Sequence, residues 1–126
     1  MLSMNFMRSK ASVRSPVNVL IVDDDNTIRE LLRAALSVED NAGQVWEAAD
    51  GSAALQATSD HKPDVIVLDY SLPDRDGGMT AKGIREIHPD AHIVAYSGLL
   101  QQKPDWADDY YVKGDLPDLE AILQLR

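Results

Sequence analysis

The chain has 126 residues, carries a net charge of -9 and contains no cysteine. This length fits one domain of ordinary size and leaves no room for a second. The negative charge repels a phosphate backbone, so we expect no direct binding to nucleic acid, and the lack of cysteine excludes disulfides and thiolate metal sites. No apolar run approaches the length of a membrane span. We therefore expect a cytoplasmic protein with no membrane partner.

The charge is distributed unevenly along the chain. Residues 1–16 carry Arg8, Lys10 and Arg14 and no acid, whereas residues 17–126 carry all 21 acids and 9 bases. The leader lacks the continuous apolar stretch of a secretory signal, although a basic, serine-containing segment without acids is also typical of organelle transit peptides. We predict that residues 1–16 form a flexible N-terminal extension and that residues 17–126 form the folded domain.

After the leader, short apolar runs alternate with amphipathic segments, a pattern typical of a parallel sheet with crossover helices. The first strand is predicted at residues 17–22. The helix that follows carries five apolar residues on one predicted face: Ile28, Leu31, Leu32, Ala35 and Leu36. Thr27 and Glu30 have the spacing of a capping box at its start. A second strand near residues 44–48 precedes an alanine-rich helix near residues 52–59.

The third apolar run, at residues 64–69, is apolar on both faces and predicts a central strand covered by helices on each side. A helix that carries Met79, Ile84 and Ile87 follows, and then a strand at residues 92–96. The last strand is predicted at residues 110–112. A closing helix from about residue 116 should bury three apolar side chains: Leu119, Ile122 and Leu123. The predicted fold class is α/β, a doubly wound five-stranded parallel sheet.

Polar residues follow four of the five predicted strands. Asp23 and Asp24 follow the first strand, Asp69 the third, Ser97 the fourth and Lys113 the fifth. In an open parallel sheet, ligands bind beyond the carboxyl ends of the strands, where the connecting loops meet. We therefore predict that these residues lie together at one edge of the sheet.

This set of residue types suits phosphoryl transfer. Asp23, Asp24 and Asp69 would repel one another without a cation, and magnesium prefers such hard oxygen ligands while leaving room for a phosphate. Lys113 offers a fixed positive charge and Ser97 a hydroxyl donor. Because Asp69 stands alone at the end of a central strand, it is the best placed nucleophile for acyl-phosphate formation.

Each of these residues also has an ordinary structural interpretation. An acidic cluster before a helix can cap that helix and complement its dipole. A lone aspartate at a strand end is often a turn residue, a lone serine is often solvated, and a lone lysine is usually a surface charge. The prediction therefore depends on the combination, since each polar residue ends a different strand.

With these motifs, residues 17–126 resemble the response-regulator receiver domains of bacterial two-component signalling, the CheY-like family. The motifs are LIVDD at residues 20–24, DVIVLDYSLP at 64–73 followed by DG at 76–77, IVAYS at 93–97 and YYVK at 110–113. The resemblance implies a flavodoxin-like sheet with strand order 2-1-3-4-5. It also implies a phosphoacceptor switch that is not an enzyme, apart from self-catalysed phosphorylation and dephosphorylation.

The resemblance implies a role for each matching residue. Asp69 would accept the phosphoryl group, and Mg²⁺ (magnesium) would be bound by Asp23, Asp24, Asp69 and the backbone carbonyl of Ser71. The donor would be a phosphohistidine on a sensor histidine kinase or a phosphotransfer protein, and the output protein is unknown.

The remaining implied roles concern the conformational switch. Ser97 would follow the phosphoryl group with its hydroxyl, Lys113 would form an ion pair with that group, and Tyr110 would rotate inward when Ser97 moves. A half-buried strand aromatic is the structural alternative for Tyr110.

Two features depart from the family pattern. Gly114 follows Lys113 where the family commonly has proline, so we expect no cis peptide there and a looser loop. Only 12 residues separate Ser97 from Tyr110, and Pro104 interrupts them. We therefore predict a short or irregular fourth helix. Because the family's usual output face includes that helix, its partner mode is not transferred to this chain.

Two rival functions fit parts of the sequence. Residues 23–27 also match the D-x-D-x-T start of haloacid-dehalogenase-like phosphatases, with Asp23 as nucleophile, but the chain has no room for their usual cap insertion and Asp69 would lack a role. A receiver-like protein-interaction module without phosphorylation is the second alternative. Its mark would be a missing site residue, and none is missing.

Overall fold

The computed structural model describes residues 15–98 and 102–124. Strands and helices alternate in this part of the chain up to the fourth strand, which the fifth strand follows without a helix among the described residues. The strands are β1 (Val17–Val22), β2 (Ala42–Ala48), β3 (Val65–Leu68), β4 (His92–Ser97) and β5 (Asp109–Val112). The helices are α1 (Asn26–Leu36), α2 (Gly51–His61), α3 (Gly77–Ile87) and α4 (Leu119–Gln124).

The sheet has the order β2-β1-β3-β4-β5, and every neighbouring pair is parallel. The predicted α/β class and strand order are therefore confirmed. Val22, the last residue of β1, pairs with Ala48 on one side and Leu68 on the other, so the carboxyl ends of β1, β2 and β3 are level. Ser97 at the end of β4 pairs with Val112 at the end of β5.

The core has two layers, one on each face of the sheet. On one face, α1 and α4 pack against β1, β3 and β4, with Leu32, Ile122 and Leu123 almost fully buried. On the other face, α2 and α3 pack against the alternate residues of the same strands, including Ile66 and Ile93. Because both faces are covered, the central strands are apolar at nearly every position.

The start of α1 differs from the predicted capping box. Asp25, and not Thr27, is the N-cap residue, and its carboxylate accepts a hydrogen bond from the backbone N–H of Thr27 at 2.9 Å. Glu30 instead accepts a hydrogen bond from the side-chain amide of Asn26. Aspartate is at least as good an N-cap as threonine, so the helix begins two residues earlier than the capping-box pattern indicates.

Two apolar residues of the predicted helices are exposed. Leu31 is 48% exposed because it lies about 100° around the helix axis from Leu32, which is buried. Met79 is 63% exposed, and the buried side of α3 is formed by Thr80, Ala81 and Ile84 instead. At Gly83 an added Cβ would lie 2.7 Å from Cδ2 of Leu55, so α3 approaches α2 closely there.

The connection between β4 and β5 is irregular, as predicted from its length. Gly98 and residues 102–108 form no helix, and residues 99–101 lie outside the described part. Two basic side chains donate hydrogen bonds to backbone carbonyls of this connection. Arg85 donates to the carbonyl of Trp106 at 2.9 Å, and Lys103 donates to that of Ala107 at 3.0 Å. Without a helix, these carbonyls would otherwise depend on water.

The chain after β5 also differs in detail from the prediction. Gly114 adopts a positive φ of 112°, a conformation that favours glycine, and no cis peptide occurs among the described residues. The hydroxyl of Tyr96 donates to the carbonyl of Asp115 at 2.9 Å and ties this loop to β4. The last helix begins at Leu119 and not near residue 116, and Leu116 is 53% exposed.

The predicted N-terminal extension falls mostly outside the described residues. Residues 1–14 are not described, and Ser15 and Pro16 have no regular secondary structure before β1 begins. Within the described ranges, no helix is both long and apolar enough to cross a membrane.

The two adjacent leucines of α1 provide a test of the packing. Truncation of Leu32 to alanine should lower the free energy of unfolding by about 2–5 kcal/mol, because it leaves a cavity in the core. Leu31→Ala is the matched control and should change stability by less than about 1 kcal/mol. Urea unfolding of both variants measures the difference, and equal losses would contradict the assigned face of α1.

Asp108 provides a test of the irregular connection. Burial raises the pKa of Asp108, but the backbone N–H of Ile93 and the guanidinium of Arg85 outweigh it and hold that pKa below 3.8. A lowered pKa stabilises the fold above the ordinary pKa, and this stabilisation is lost as the pH falls through the lowered value.

Asp108→Ala should therefore cost about 1 kcal/mol at pH 7. The difference from the wild type should shrink below about pH 4. Urea unfolding at several pH values measures it. Asp105→Ala, in the same exposed connection, is the control and should have little effect at any pH.

Candidate functional site

Asp23 is held in place at the end of β1 by hydrogen bonds on several sides. Its backbone N–H donates to the carbonyl of Ala48, and its own carbonyl accepts from Arg29 Nη1 at 2.7 Å. Its Oδ1 accepts from the backbone N–H of Asp25 at 2.9 Å. The residue is only 2% exposed, so the carboxylate lies below the surface with one oxygen, Oδ2, left for other partners.

Asp69 occupies the equivalent place one strand away. It follows β3, its backbone N–H donates to the carbonyl of Val22 at 3.0 Å, and it is 5% exposed. The backbone N–H of Ser71 also donates toward its carboxylate. Because β1 and β3 are neighbours in the sheet and end at the same level, the carboxylates of Asp23 and Asp69 are brought together.

Lys113 connects these two carboxylates. It follows β5, where its backbone N–H donates to the carbonyl of Ser97 at 3.2 Å. Its Nζ lies 2.7 Å from Oδ2 of Asp23 and 3.4 Å from Oδ1 of Asp69. One ammonium group therefore contacts two buried carboxylates that come from different strands.

Burial and the charges in the site shift the pKa values of Asp69 and Lys113. Burial, followed by the charge of Asp23, raises the pKa of Asp69, although Lys113 and the N–H of Ser71 oppose the change. Burial disfavours the charge on Lys113, but its hydrogen bond to Asp23 and the charge of Asp69 outweigh burial and raise its pKa. Lys113 therefore stays protonated at neutral pH, whereas ionisation of Asp69 destabilises the folded protein.

The three predicted acidic residues form one oxygen cluster. Asp23, Asp24 and Asp69 each place a carboxylate oxygen within 4.8 Å of the others. Asp24 is exposed, whereas the other two are buried, so the cluster opens to solvent on one side. Such a set of hard oxygen donors fits a divalent cation of the magnesium type.

The other predicted residues lie on the same edge or near it. Ser97 is fully buried at the end of β4, between the ends of β3 and β5. Ser71 forms an isolated antiparallel bridge with Asp76 in the loop after β3. Tyr110 is half-buried on β5, where it pairs with Ala95. The assigned roles of these residues stay predictions.

Two residues that hold the site in place were not predicted from the sequence. Arg29 binds the carbonyl of Asp23, and its position one helical turn after the acidic cluster was the only available signal. Asp74 accepts hydrogen bonds from the backbone N–H groups of Gly51 and Ser52, at 2.7 and 2.9 Å. The loop after Asp69 is thereby fixed to the start of α2. No local pattern indicates a contact between segments so far apart in the chain.

The chain belongs to the response regulator receiver domain family, whose model matches residues 19–111. The resemblance found in the sequence is thereby confirmed, and the chain is a receiver domain of the kind that serves as a phosphoacceptor switch in two-component signalling.

Individual relatives agree with this assignment. The probable transcriptional regulatory protein NarL of Mycobacterium tuberculosis is 37% identical over 81 residues, which cover 64% of this chain and 38% of the relative. Protein-glutamate methylesterase/protein-glutamine glutaminase 3 of Myxococcus xanthus is 37% identical over 92 residues, covering 73% of this chain and 26% of the relative. A CheY-like receiver domain from Methylobacillus flagellatus superimposes with a TM-score of 0.76 at 29% identity, covering 88% of this chain and 98% of that structure.

The matches to whole proteins are partial. The chain spans between 24% and 41% of the length of the curated relatives that it matches. Those relatives are named as a transcriptional regulatory protein and a protein-glutamate methylesterase, among others.

The raised pKa of Asp69 predicts how its substitution changes the free energy of unfolding. Because ionised Asp69 is unfavourable in the folded state, its contribution to stability is lost as the pH rises through its folded-state pKa. Asp69→Asn should therefore raise the free energy of unfolding at pH 7 in EDTA, and the gain should vanish in strong acid. Lys113 keeps its shorter contact with Asp23 in this variant.

Asp74→Asn is a matched control with the opposite sign, because hydrogen bonds from the N–H groups of Gly51 and Ser52 lower the pKa of Asp74. The same substitution there should lower stability at pH 7. Urea unfolding of both variants tests the pair, and a stabilising Asp74→Asn or a destabilising Asp69→Asn would show that the electrostatic assignment is wrong.

Proposed function

We propose that Asp69 is the residue of this receiver domain that accepts the phosphoryl group. The observation that carries the proposal is the convergence of Asp69, Asp23 and Lys113, with an ammonium nitrogen 2.7 Å from one carboxylate and 3.4 Å from the other. These residues follow three different strands, so no single local role, such as capping one helix, accounts for all three charges.

Phosphoryl transfer to Asp69 needs an ionised carboxylate and charge compensation. A carboxylate oxygen of Asp69 attacks phosphorus in line, a new P–O bond forms, and the P–N bond to the donor histidine breaks. The leaving imidazole recovers its electron pair and takes a proton from solvent. Lys113, held protonated by its two carboxylate partners, then faces the equatorial oxygens of the new acyl phosphate and offsets their charge.

The donor set also fits the magnesium ion that the family implies. Asp23, Asp24 and Asp69, together with the backbone carbonyl of Ser71, would hold the ion. When bound, it would neutralise carboxylate and phosphoryl charge so that the anionic nucleophile and the donor can approach. The clustering of three carboxylate oxygens within 4.8 Å supports this set, and the carbonyl of Ser71 is included by analogy with the family.

Ser97 and Tyr110 are proposed as the elements that respond to phosphorylation. Ser97 lies at the strand end between Asp69 and Lys113, and its carbonyl is already linked to the N–H of Lys113. A phosphoryl group on Asp69 would compete for Lys113 and draw the Ser97 hydroxyl toward it. Strand alternation places Tyr110 on the opposite face from Tyr111, which packs in the α1–α4 core layer. Tyr110 can therefore turn without opening that layer.

The proposed partners follow from the chemistry. A sensor histidine kinase or a phosphotransfer protein would supply phosphohistidine, and an output protein of unknown identity would recognise the phosphorylated form. Water attack on the acyl phosphate would reset the switch. On this account the chain is itself modified and turns over no separate substrate.

The two rival functions predict different chemistry at this edge of the sheet. A phosphatase of the D-x-D-x-T type would use Asp23 as nucleophile, but its Oδ1 accepts the N–H of Asp25 and its Oδ2 lies 2.7 Å from Lys113. An interaction module without phosphorylation has no need for a buried pair of carboxylates beside an ammonium. The geometry favours the phosphoacceptor function over both.

Intact mass analysis after incubation with acetyl phosphate and magnesium tests the proposal. The wild type should gain one labile phosphoryl group, and Asp69→Asn should gain none. Borohydride reduction of the adduct followed by peptide mapping should place the modification at residue 69.

EDTA is the metal control and should suppress labelling of the wild type. Modification at Asp23, or equal labelling of Asp69→Asn, would overturn the assignment and favour the phosphatase alternative. A wild type that stays unmodified with magnesium present would favour the interaction module.

A further inference from the structure

The α1–α4 side of the domain carries an acidic groove with apolar walls. Two hollows of about 270 Å³ and 340 Å³ lie side by side there, and Val38, Glu39 and Glu120 line both. Asp40 lines the first hollow and Asp118 the second. No lysine or arginine of the described residues lines either hollow, so the groove presents four carboxylates.

Apolar side chains accompany these acids. Val38 is 78% exposed and Leu116 is 53% exposed, and the buried side chains of Leu119 and Leu123 also line the groove. Exposed apolar side chains set among like charges suit a partner that is both basic and apolar.

The N-terminal leader has this composition. Residues 1–14 contain three bases and no acid, and they also contain five large apolar residues before the first base: Met1, Leu2, Met4, Phe6 and Met7. The described chain starts beside the groove, because Ser15 and Pro16 line a neighbouring hollow that also includes Glu39, and the N–H of Val17 donates to the carbonyl of Asn41. A segment of 14 residues reaches up to about 45 Å when extended, whereas the 11 residues of α1 span about 16 Å.

We propose that residues 1–14 of the leader dock in the acidic groove between α1 and α4 of their own chain. The bases of the leader pair with the carboxylates of Glu39, Asp40 and Glu120, and its apolar residues cover Val38 and Leu116. Covalent attachment makes the contact intramolecular, so weak surface ion pairs suffice where a free peptide would dissociate. This inference does not depend on phosphorylation of Asp69.

Paramagnetic relaxation in the full chain tests the docking. The chain has no cysteine, so Ser3→Cys provides one site for a nitroxide label. The label should broaden the backbone amides of residues 38–41 and 119–124, whereas those of residues 52–60 on the opposite face should keep their intensity. Raising the salt from about 0.1 M to 1 M should reduce the broadening, because the Debye length falls from about 10 Å to 3 Å.

Reversing charges first in the groove and then in the leader tests which residues form the ion pairs. Glu39→Lys with Glu120→Lys should lower the docked-to-undocked ratio roughly tenfold, as expected for the loss of two surface ion pairs. Adding Arg8→Glu and Lys10→Glu to that variant should restore the broadening. The matched control, Asp60→Lys with Glu86→Lys, reverses two exposed acids on α2 and α3 and should leave the broadening unchanged.

Other occupants give different outcomes. Broadening that appears only in a mixture of spin-labelled and ¹⁵N-labelled chains would show that a second copy fills the groove, and the intramolecular proposal would be wrong. Equal broadening over the whole surface, or none at residues 38–41, would also overturn it. The amide spectrum of each variant reports at the same time whether the domain is folded.

Discussion

The ion pair cluster of Lys113 with Asp23 and Asp69 is the interaction on which the functional edge of this domain depends. Two carboxylates that are 2% and 5% exposed would be strongly unfavourable side by side without a cation. The ammonium at 2.7 and 3.4 Å supplies that charge in the resting protein. The arrangement stays electrostatically incomplete, however, because one positive charge faces two buried negative charges and exposed Asp24 adds a third. A divalent cation would therefore reduce the excess negative charge of this cluster.

The sheet order explains why these particular residues meet. β1 and β3 are neighbours, so Asp23 and Asp69 come together directly, whereas Lys113 starts from β5 with β4 in between. Its side chain must cross the end of β4, and the residues there are small. Ser97 ends that strand and Gly98 follows it. The long lysine side chain spans this distance and places its ammonium within 3.4 Å of both carboxylates.

The sequence was sufficient to predict the sheet and the meeting of Asp23, Asp69 and Lys113 at one edge, because both follow from short local patterns. Apolar runs identify the strands, and the residue after each run must lie at the common edge. The N-cap of α1, the exposure of Leu31 and Met79 and the anchoring of the loop by Asp74 were not predictable in this way. Each depends on which helix face meets the sheet or which distant backbone N–H is free, and these are properties of the assembled fold.

The connection between β4 and β5 shows how the fold accommodates a shortened segment. Apolar burial that a helix would provide is supplied in part by Trp106, whose ring stacks near Tyr70 at 6.5 Å and packs against Gly77 and Gly78. Arg85 of α3 holds the same segment through the carbonyl of Trp106 and the carboxylate of Asp108. Tyr70 directly follows Asp69, so the segment is anchored to α3 and to the residue beside the proposed phosphoacceptor. Movement of the loop after Asp69 would therefore reach the β4–β5 connection through Tyr70 and Trp106, without a helix between β4 and β5 among the described residues.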